Sequence, residues 1–231
     1  MLATALDPTL SRTLETADGS ALKLVIANKN YSSWSMRPWV LMTAFGIPFE
    51  EIRILFDQPD TANRIAQYSA AGRVPVLVAG EMHVWDSLAI CEYLAEQFPE
   101  KNLWPRDVAA RAMARSICAE MHSGFSALRN AMPMHIRKHY PGKGRTAGAQ
   151  AEIWEECMSR YGHHHFLFGE FSIADAYYAP VVMRFRTYGV FIAPALQAYA
   201  ERVAAHPAVA QWVREALAET EAAPLHDVEP E

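Results

Sequence analysis

Two short runs hold the side chains with the most chemistry to offer. The first is Tyr31-Ser32-Ser33-Trp34-Ser35-Met36-Arg37-Pro38, three serine hydroxyls and a tyrosine gathered just ahead of an apolar stretch from Trp39 to Phe45. Serine oxygens accept from the free N–H groups of a first helical turn, and proline suits that turn, so the run predicts a helix start. Hydroxyls at the positive end of a helix can also hold an anion. The second run is Asp86-Ser87, set before Leu88, Cys91, Ala95 and Phe98 at helical spacing, and it opens another helix in the same way. His163-His164-His165 invites a metal reading, but three adjacent residues do not converge easily on one ion, and a loop is the better expectation. Met121, His122, Phe125 and Arg129 recur three and four residues apart, either as a pocket wall or as a packing stripe.

The elements that must carry these runs follow from periodicity. Leu22, Leu24 and Ile26 alternate with Lys23, Val25 and Ala27, a strand of about six residues, and Phe49–Leu55 predicts a second. Between them lies the helix opened by the serines, closed at Gly46. A short helical stretch is expected at 61–68. Gly72-Arg73-Val74-Pro75-Val76-Leu77-Val78 and Met82-His83-Val84-Trp85, with a turn at Ala79-Gly80, predict a hairpin. The order is βαβ, then ββα, with a right-handed parallel crossover in the first unit. After Phe98-Pro99 the strand signal ends. Residues 108–132 predict one long helix stopped by Pro133, and further helices are expected near 149–161, 172–187, 194–205 and 208–220. The division is a 1–20 extension, an α/β domain at 21–100, a linker at 101–107, an all-helical domain at 108–222 and a tail at 223–231.

This arrangement resembles the glutathione transferase superfamily. Three motifs carry the resemblance: the Tyr31–Arg37 run, Arg73-Val74-Pro75-Val76-Leu77 followed by Asp86-Ser87, and Phe168-Gly169-Glu170-Phe171-Ser172-Ile173-Ala174-Asp175. The resemblance implies a thioredoxin-like N-terminal domain, a helical-bundle C-terminal domain, and glutathione as co-substrate. A thiol of pKa near 8.5 is about 3% ionised at pH 7, and lowering it to about 6.5 requires about 2.7 kcal/mol of preferential anion stabilisation. In serine-type members the contacting serine lies five residues before an arginine. Counting back from Arg37 gives Ser32, with Ser33 next and Tyr31 a less favoured donor. The run contains no cysteine, which sets it apart from members that form mixed disulfides. The zeta class carries Ser-Ser-Cys here, and the third position of this chain is Trp34.

The resemblance further implies that Val74-Pro75 is a cis bond whose preceding backbone groups pair with the cysteinyl part of glutathione. Asp86 and Ser87 would take the γ-glutamyl ammonium and carboxylate. Arg73 is either a contact to the glycyl carboxylate or a solvated turn residue. Ser172 and Asp175 read as a capping box with a folding role.

Composition agrees with a two-domain globular chain. Of 231 residues, 51% are hydrophobic and 20% charged, and the net charge of −5 gives no footprint for nucleic acid or an anionic membrane. Three scattered cysteines, without a CxxC pair, fit a reducing, cytoplasmic setting. The first 20 residues lack the pattern of a secretory signal, and no apolar run is long enough to span a membrane. The expectation is a metal-free, homodimeric transferase that attacks small, fairly apolar electrophiles with the glutathione thiolate. A glutathione-dependent isomerase or peroxidase, and a non-catalytic binding or scaffold protein, are the alternatives.

Overall fold

The computed structural model describes residues 21–143, 148–162 and 165–227. The extension read over residues 1–20, two of the three adjacent histidines (163 and 164) and the last four residues of the tail lie outside the described residues.

Four strands form one mixed sheet in the order β2-β1-β3-β4: β1 is Lys23–Ile26, β2 Glu50–Arg53, β3 Val76–Ala79 and β4 Met82–Trp85. β1 pairs parallel with β2 (Val25 opposite Ile52) and antiparallel with β3 (Val25 opposite Val76). β3 and β4 are the expected hairpin, with Val78 opposite His83 and the turn at Gly80 and Glu81. Helix α1 (Ser33–Ala44) crosses between β1 and β2, and α2 (Thr61–Ala66) and α3 (Ser87–Gln97) complete the thioredoxin-like unit. Strand alternation splits the apolar side chains between two faces. Val25, Val76 and Val78 pack with Ile54 and Ile65, the latter from α2. Leu24, Ile26 and Leu77 face the other way, into a core shared with α1, α3 and the helical half.

Among the described residues, the regular elements after Lys101 are helices, besides two isolated bridges in the Phe166–Glu170 loop: α4 (Val108–Ser123), α5 (Ser126–Ala131), α6 (Gly148–Cys157, continued by a π-helical turn at Met158–Gly162), α7 (Ile173–Tyr188), α8 (Pro194–Ala205) and α9 (Pro207–Ala218). α1 packs on α7 and α9, so the helix that opens with the serines is held from both halves of the chain. The capping box is present: Asp175 accepts from the N–H of Ser172 at 2.9 Å, and also from the N–H of Leu167 and the hydroxyl of Tyr199, both at 3.1 Å.

Two expectations need correcting. The single helix over 108–132 is two helices, because α4 ends at Ser123 and Phe125 takes a left-handed φ of 55°. Arg129 closes the break by donating to the carbonyls of Met121 and Gly124. Pro38 lies inside α1 rather than in its first turn, since helical backbone already begins at Ser33, and it forgoes the N–H that would reach the Trp34 carbonyl.

Candidate functional site

The start of α1 is fixed by remote groups. The buried Glu219 carboxylate accepts from the N–H of Lys29 at 2.7 Å, the N–H of Asn30 at 3.0 Å and Arg53 Nη1 at 2.9 Å. The Asn30 side-chain oxygen accepts from the N–H of Arg137, and Arg137 Nη2 donates to the Tyr31 hydroxyl at 3.1 Å. Tyr31 is therefore tied to the C-terminal half, although it still lines the cleft.

The two serines differ in what holds them. Ser32 is the N-cap: its Oγ accepts from the N–H of Ser35 at 3.3 Å and gives its own proton to Ser35 Oγ at 2.8 Å. Ser33 Oγ accepts from Arg184 Nη2 at 3.1 Å, and its proton is committed to no other group among the described residues. Arg184 projects from α7 and is 5% exposed. It also donates to the carbonyls of Met132 and Pro180. Burial, reinforced by repulsion from Arg37 and Arg129, pushes its pKa down to about 9, so it stays charged at neutral pH.

A second group of residues meets at the start of α3. Val74–Pro75 is a cis bond, and the Val74 N–H and C=O make no hydrogen bond among the described residues. Arg73 is exposed and unpaired there. Asp86 caps α3 with a left-handed φ of 76°, accepting from the N–H of Leu88 at 2.8 Å through Oδ1. Its Oδ2 lies 3.1 Å from His122 Nε2. The Ser87 hydroxyl is turned inward, 2.8 Å from the Tyr177 hydroxyl and accepting from Arg37 Nη1 at 3.2 Å. Desolvation holds His122 below the usual imidazole range against the pull of Asp86, and Arg37 and Arg129 add to the lowering.

All seven residues singled out from sequence border one cleft in two halves. A 630 Å³ half contains Ser32, Ser33 and Val74, and a 960 Å³ half contains Arg73, Val74, Pro75, Asp86 and Ser87. Trp34 and Phe56 join Val74 in the shared wall. A separate 740 Å³ cavity lined by Phe45, Trp104, Arg160 and Phe171 contains none of the seven. Sequence reading missed Arg184, whose one signal is a lone arginine in the apolar run from Val181 to Phe185. It also missed Leu225 and His226, which reach the 630 Å³ half from the tail, His226 stacked 4.3 Å from Phe56. The histidine and arginine of the helical stripe do line the cleft, His122 in one half and Arg129 in the other.

Among the described residues no helix is long and apolar enough to cross a membrane, and no three His, Cys, Asp or Glu side chains gather as a metal-holding group. Chemically, the cleft offers hydroxyl donors beside a buried cation, an open pair of backbone groups, and a carboxylate at a helix start. That set suits a peptide-like ligand carrying an anion.

Comparison with known proteins agrees. Residues 31–97 match the glutathione S-transferase N-terminal domain, and residues 118–215 the C-terminal domain. The chain is 26% identical to glutathione S-transferase 1 of Dianthus caryophyllus over 70% of its length and 76% of that protein. It is likewise 26% identical to maleylacetoacetate isomerase of Pseudomonas aeruginosa, over 82% of this chain and 94% of the relative. A crystal structure of a Burkholderia glutathione transferase homologue with bound glutathione superposes with a TM-score of 0.64 at 27% identity, covering 87% of this chain and all of that one. The chain belongs to the glutathione S-transferase superfamily.

Proposed function

We propose that the protein is a glutathione transferase that ionises the glutathione thiol at the start of α1 and presents it to a small electrophile. The reading rests on one observation above all. Ser33 Oγ takes a bond from buried Arg184 in the same cleft as cis Val74–Pro75 and Asp86. A hydroxyl that accepts from a cation is a stronger donor in turn, and its free proton is what a thiolate needs. Of the two serines, Ser33 therefore leads, with Ser32 supporting as the cap. The γ-glutamyl ammonium would pair with Asp86 and its carboxylate with the first N–H groups of α3, because the Ser87 hydroxyl is occupied inside. Val74 would pair with the cysteinyl backbone and Arg73 with the glycyl carboxylate.

The identity to a maleylacetoacetate isomerase along nearly its whole length supports a second reading, a glutathione-dependent isomerase using the same thiolate. We read the protein as a cytoplasmic homodimer. Three free, buried cysteines support the compartment, and family membership supports the dimer.

The test is a titration of bound glutathione, following thiolate absorbance in the ultraviolet against pH. The bound thiol should ionise well below free glutathione, and Ser33→Ala should return its pKa towards the free value by about 1–2 units, the worth of one hydrogen bond to a charged group. A larger effect from Ser32→Ala than from Ser33→Ala would move the role to Ser32. Binding without a shift would leave a carrier, and no binding would leave only the fold.

A further inference from the structure

We propose that the second substrate of this cleft carries a carboxylate, held by Arg129 and Arg184. The inference rests on the transferase reading and names the class of acceptor.

Three guanidinium groups surround Trp34 and the start of α1. Arg37 stands 4.0 Å and Arg129 5.4 Å from the Trp34 ring, and Arg184 is bonded to Ser33. Every hydrogen bond they make goes to a neutral acceptor. Arg37 donates to Ser87 Oγ and Met121 Sδ, Arg129 to the carbonyls of Met121 and Gly124, and Arg184 to Ser33 Oγ and the carbonyls of Met132 and Pro180. None pairs with a carboxylate among the described residues. By contrast Lys29, the buried lysine of the loop before α1, is paired with two carboxylates, Glu51 and Glu215. Burial lowers the pKa of all three arginines, and repulsion from neighbouring guanidinium groups adds to it at Arg37 and Arg184. Unpaired charge in a half-dry site is costly to keep, and an anionic ligand relieves that cost.

Two of the three, Arg129 and Arg184, line the 630 Å³ half beside Ser33. The thiolate neutralises one charge. The two carboxylates of glutathione would be engaged in the other half, at α3 and Arg73. The remaining positive charge faces the space where the acceptor must sit. Guanidinium forks suit carboxylates, and Arg184 Nη2 is only 3.1 Å from Ser33 Oγ, so a carboxylate held there stands close to the attacking sulfur. The reacting carbon then lies within a few bonds of the carboxylate.

The probes are 4-chloro-3,5-dinitrobenzoate and its methyl ester. In both, the thiolate sulfur forms a bond to the chlorine-bearing carbon, the C–Cl bond breaks, and chloride leaves with its electron pair. Rates are referred to the uncatalysed reaction with glutathione. The acid should be favoured over the ester in kcat/KM by at least about tenfold, the low end for one charge-assisted hydrogen bond. Arg129→Gln should bring that ratio close to one through the KM for the acid, and Arg129→Lys should retain most of it. Equal use of acid and ester by the wild type, or an equal loss for both probes in Arg129→Gln, overturns the proposal.

If neither probe turns over, calorimetry with 3,5-dinitrobenzoate on protein saturated with S-methylglutathione decides. Binding at least tenfold weaker in Arg129→Gln supports the proposal, and unchanged binding overturns it. If S-methylglutathione does not bind, the transferase reading has failed. The same dinitrobenzoate titration on the free protein then decides the carboxylate site separately.

Discussion

Asp86 combines a strained backbone with a carboxylate in the cleft, and two substitutions separate their effects. It is not glycine, yet it holds φ at 76° and ψ at 128°, where its Cβ crowds the backbone. Such a conformation costs of order 1–3 kcal/mol. Asp86→Ala keeps the crowded Cβ and removes the cap on Leu88, so it should destabilise the fold by about 1 kcal/mol. Asp86→Gly relieves the strain, loses only a few tenths through the weaker cap, and costs about 0.5–1 kcal/mol in chain entropy. The glycine variant should therefore range from about equal to wild type to about 2 kcal/mol more stable, and exceed the alanine variant by about 1–3 kcal/mol. Both variants lack the carboxylate, and both should raise the glutathione KM by about tenfold or more, the worth of a charge-assisted contact. Urea unfolding at neutral pH gives the first comparison and initial rates the second. Equal stability of the glycine and alanine variants would refute the strain argument. An unchanged KM in both would reduce Asp86 to a helix cap.

Four further outcomes are expected. Glutathione KM should rise as the pH falls through the lowered range of His122, because the imidazole, held down by burial, then becomes a cation 3.1 Å from Asp86 and competes with the ligand ammonium. His122 is also faced by Tyr177, Arg37, Arg129 and Trp34, none of which offers a competing negative charge in that range, so His122→Gln should flatten this acid limb. The same lowered pKa makes the folded state favour the neutral ring, so this group's support for the fold is present above about pH 6.5 and lost as pH falls through the folded value, readable as a drop in urea midpoint that His122→Gln lacks. Glu219→Ala should cost about 2–4 kcal/mol in urea unfolding, since it strands two buried N–H groups and Arg53, with partial recovery in Glu219→Gln. The cysteines should resist Ellman's reagent at pH 8 until the protein is unfolded, because burial pushes the thiols of Cys91 and Cys118 well up and that of Cys157 to about 12.

Local signals made much of this molecule legible. The serine run, Val74-Pro75 and Asp86-Ser87 each announce a turn or cap chemically, and each stands in the cleft. Strand alternation placed the sheet, with β1 and β2 trimmed by one or two residues at each end and β3 beginning only after Pro75 and running through Ala79. What escaped depends on three-dimensional context. The 108–132 pattern stays apolar at helical spacing through Ser123-Gly124, and only the return of Arg129 onto the Met121 and Gly124 carbonyls reveals the break. Which serine keeps a free proton depends on Arg184, 151 residues away in sequence from Ser33. An arginine inside a helix of buried aromatics carries no local mark of facing a cleft. The inward turn of Ser87 likewise follows from Arg37 and Tyr177, one upstream and one far downstream.

The Glu219 clamp also sets a schedule for biogenesis. The loop that aims α1 is tied to a carboxylate 190 residues after Lys29. At a synthesis rate of about 5–20 residues per second, roughly 10–40 s separate the emergence of that loop from the arrival of the group that fixes it. A nascent chain can build its sheet early, but the serines stay unaimed until the last helix has left the ribosome. Chains cut short before Glu219 lack the carboxylate that holds the Lys29 and Asn30 N–H groups, so ribosome-stalled or proteolytically shortened products should fail to retain glutathione.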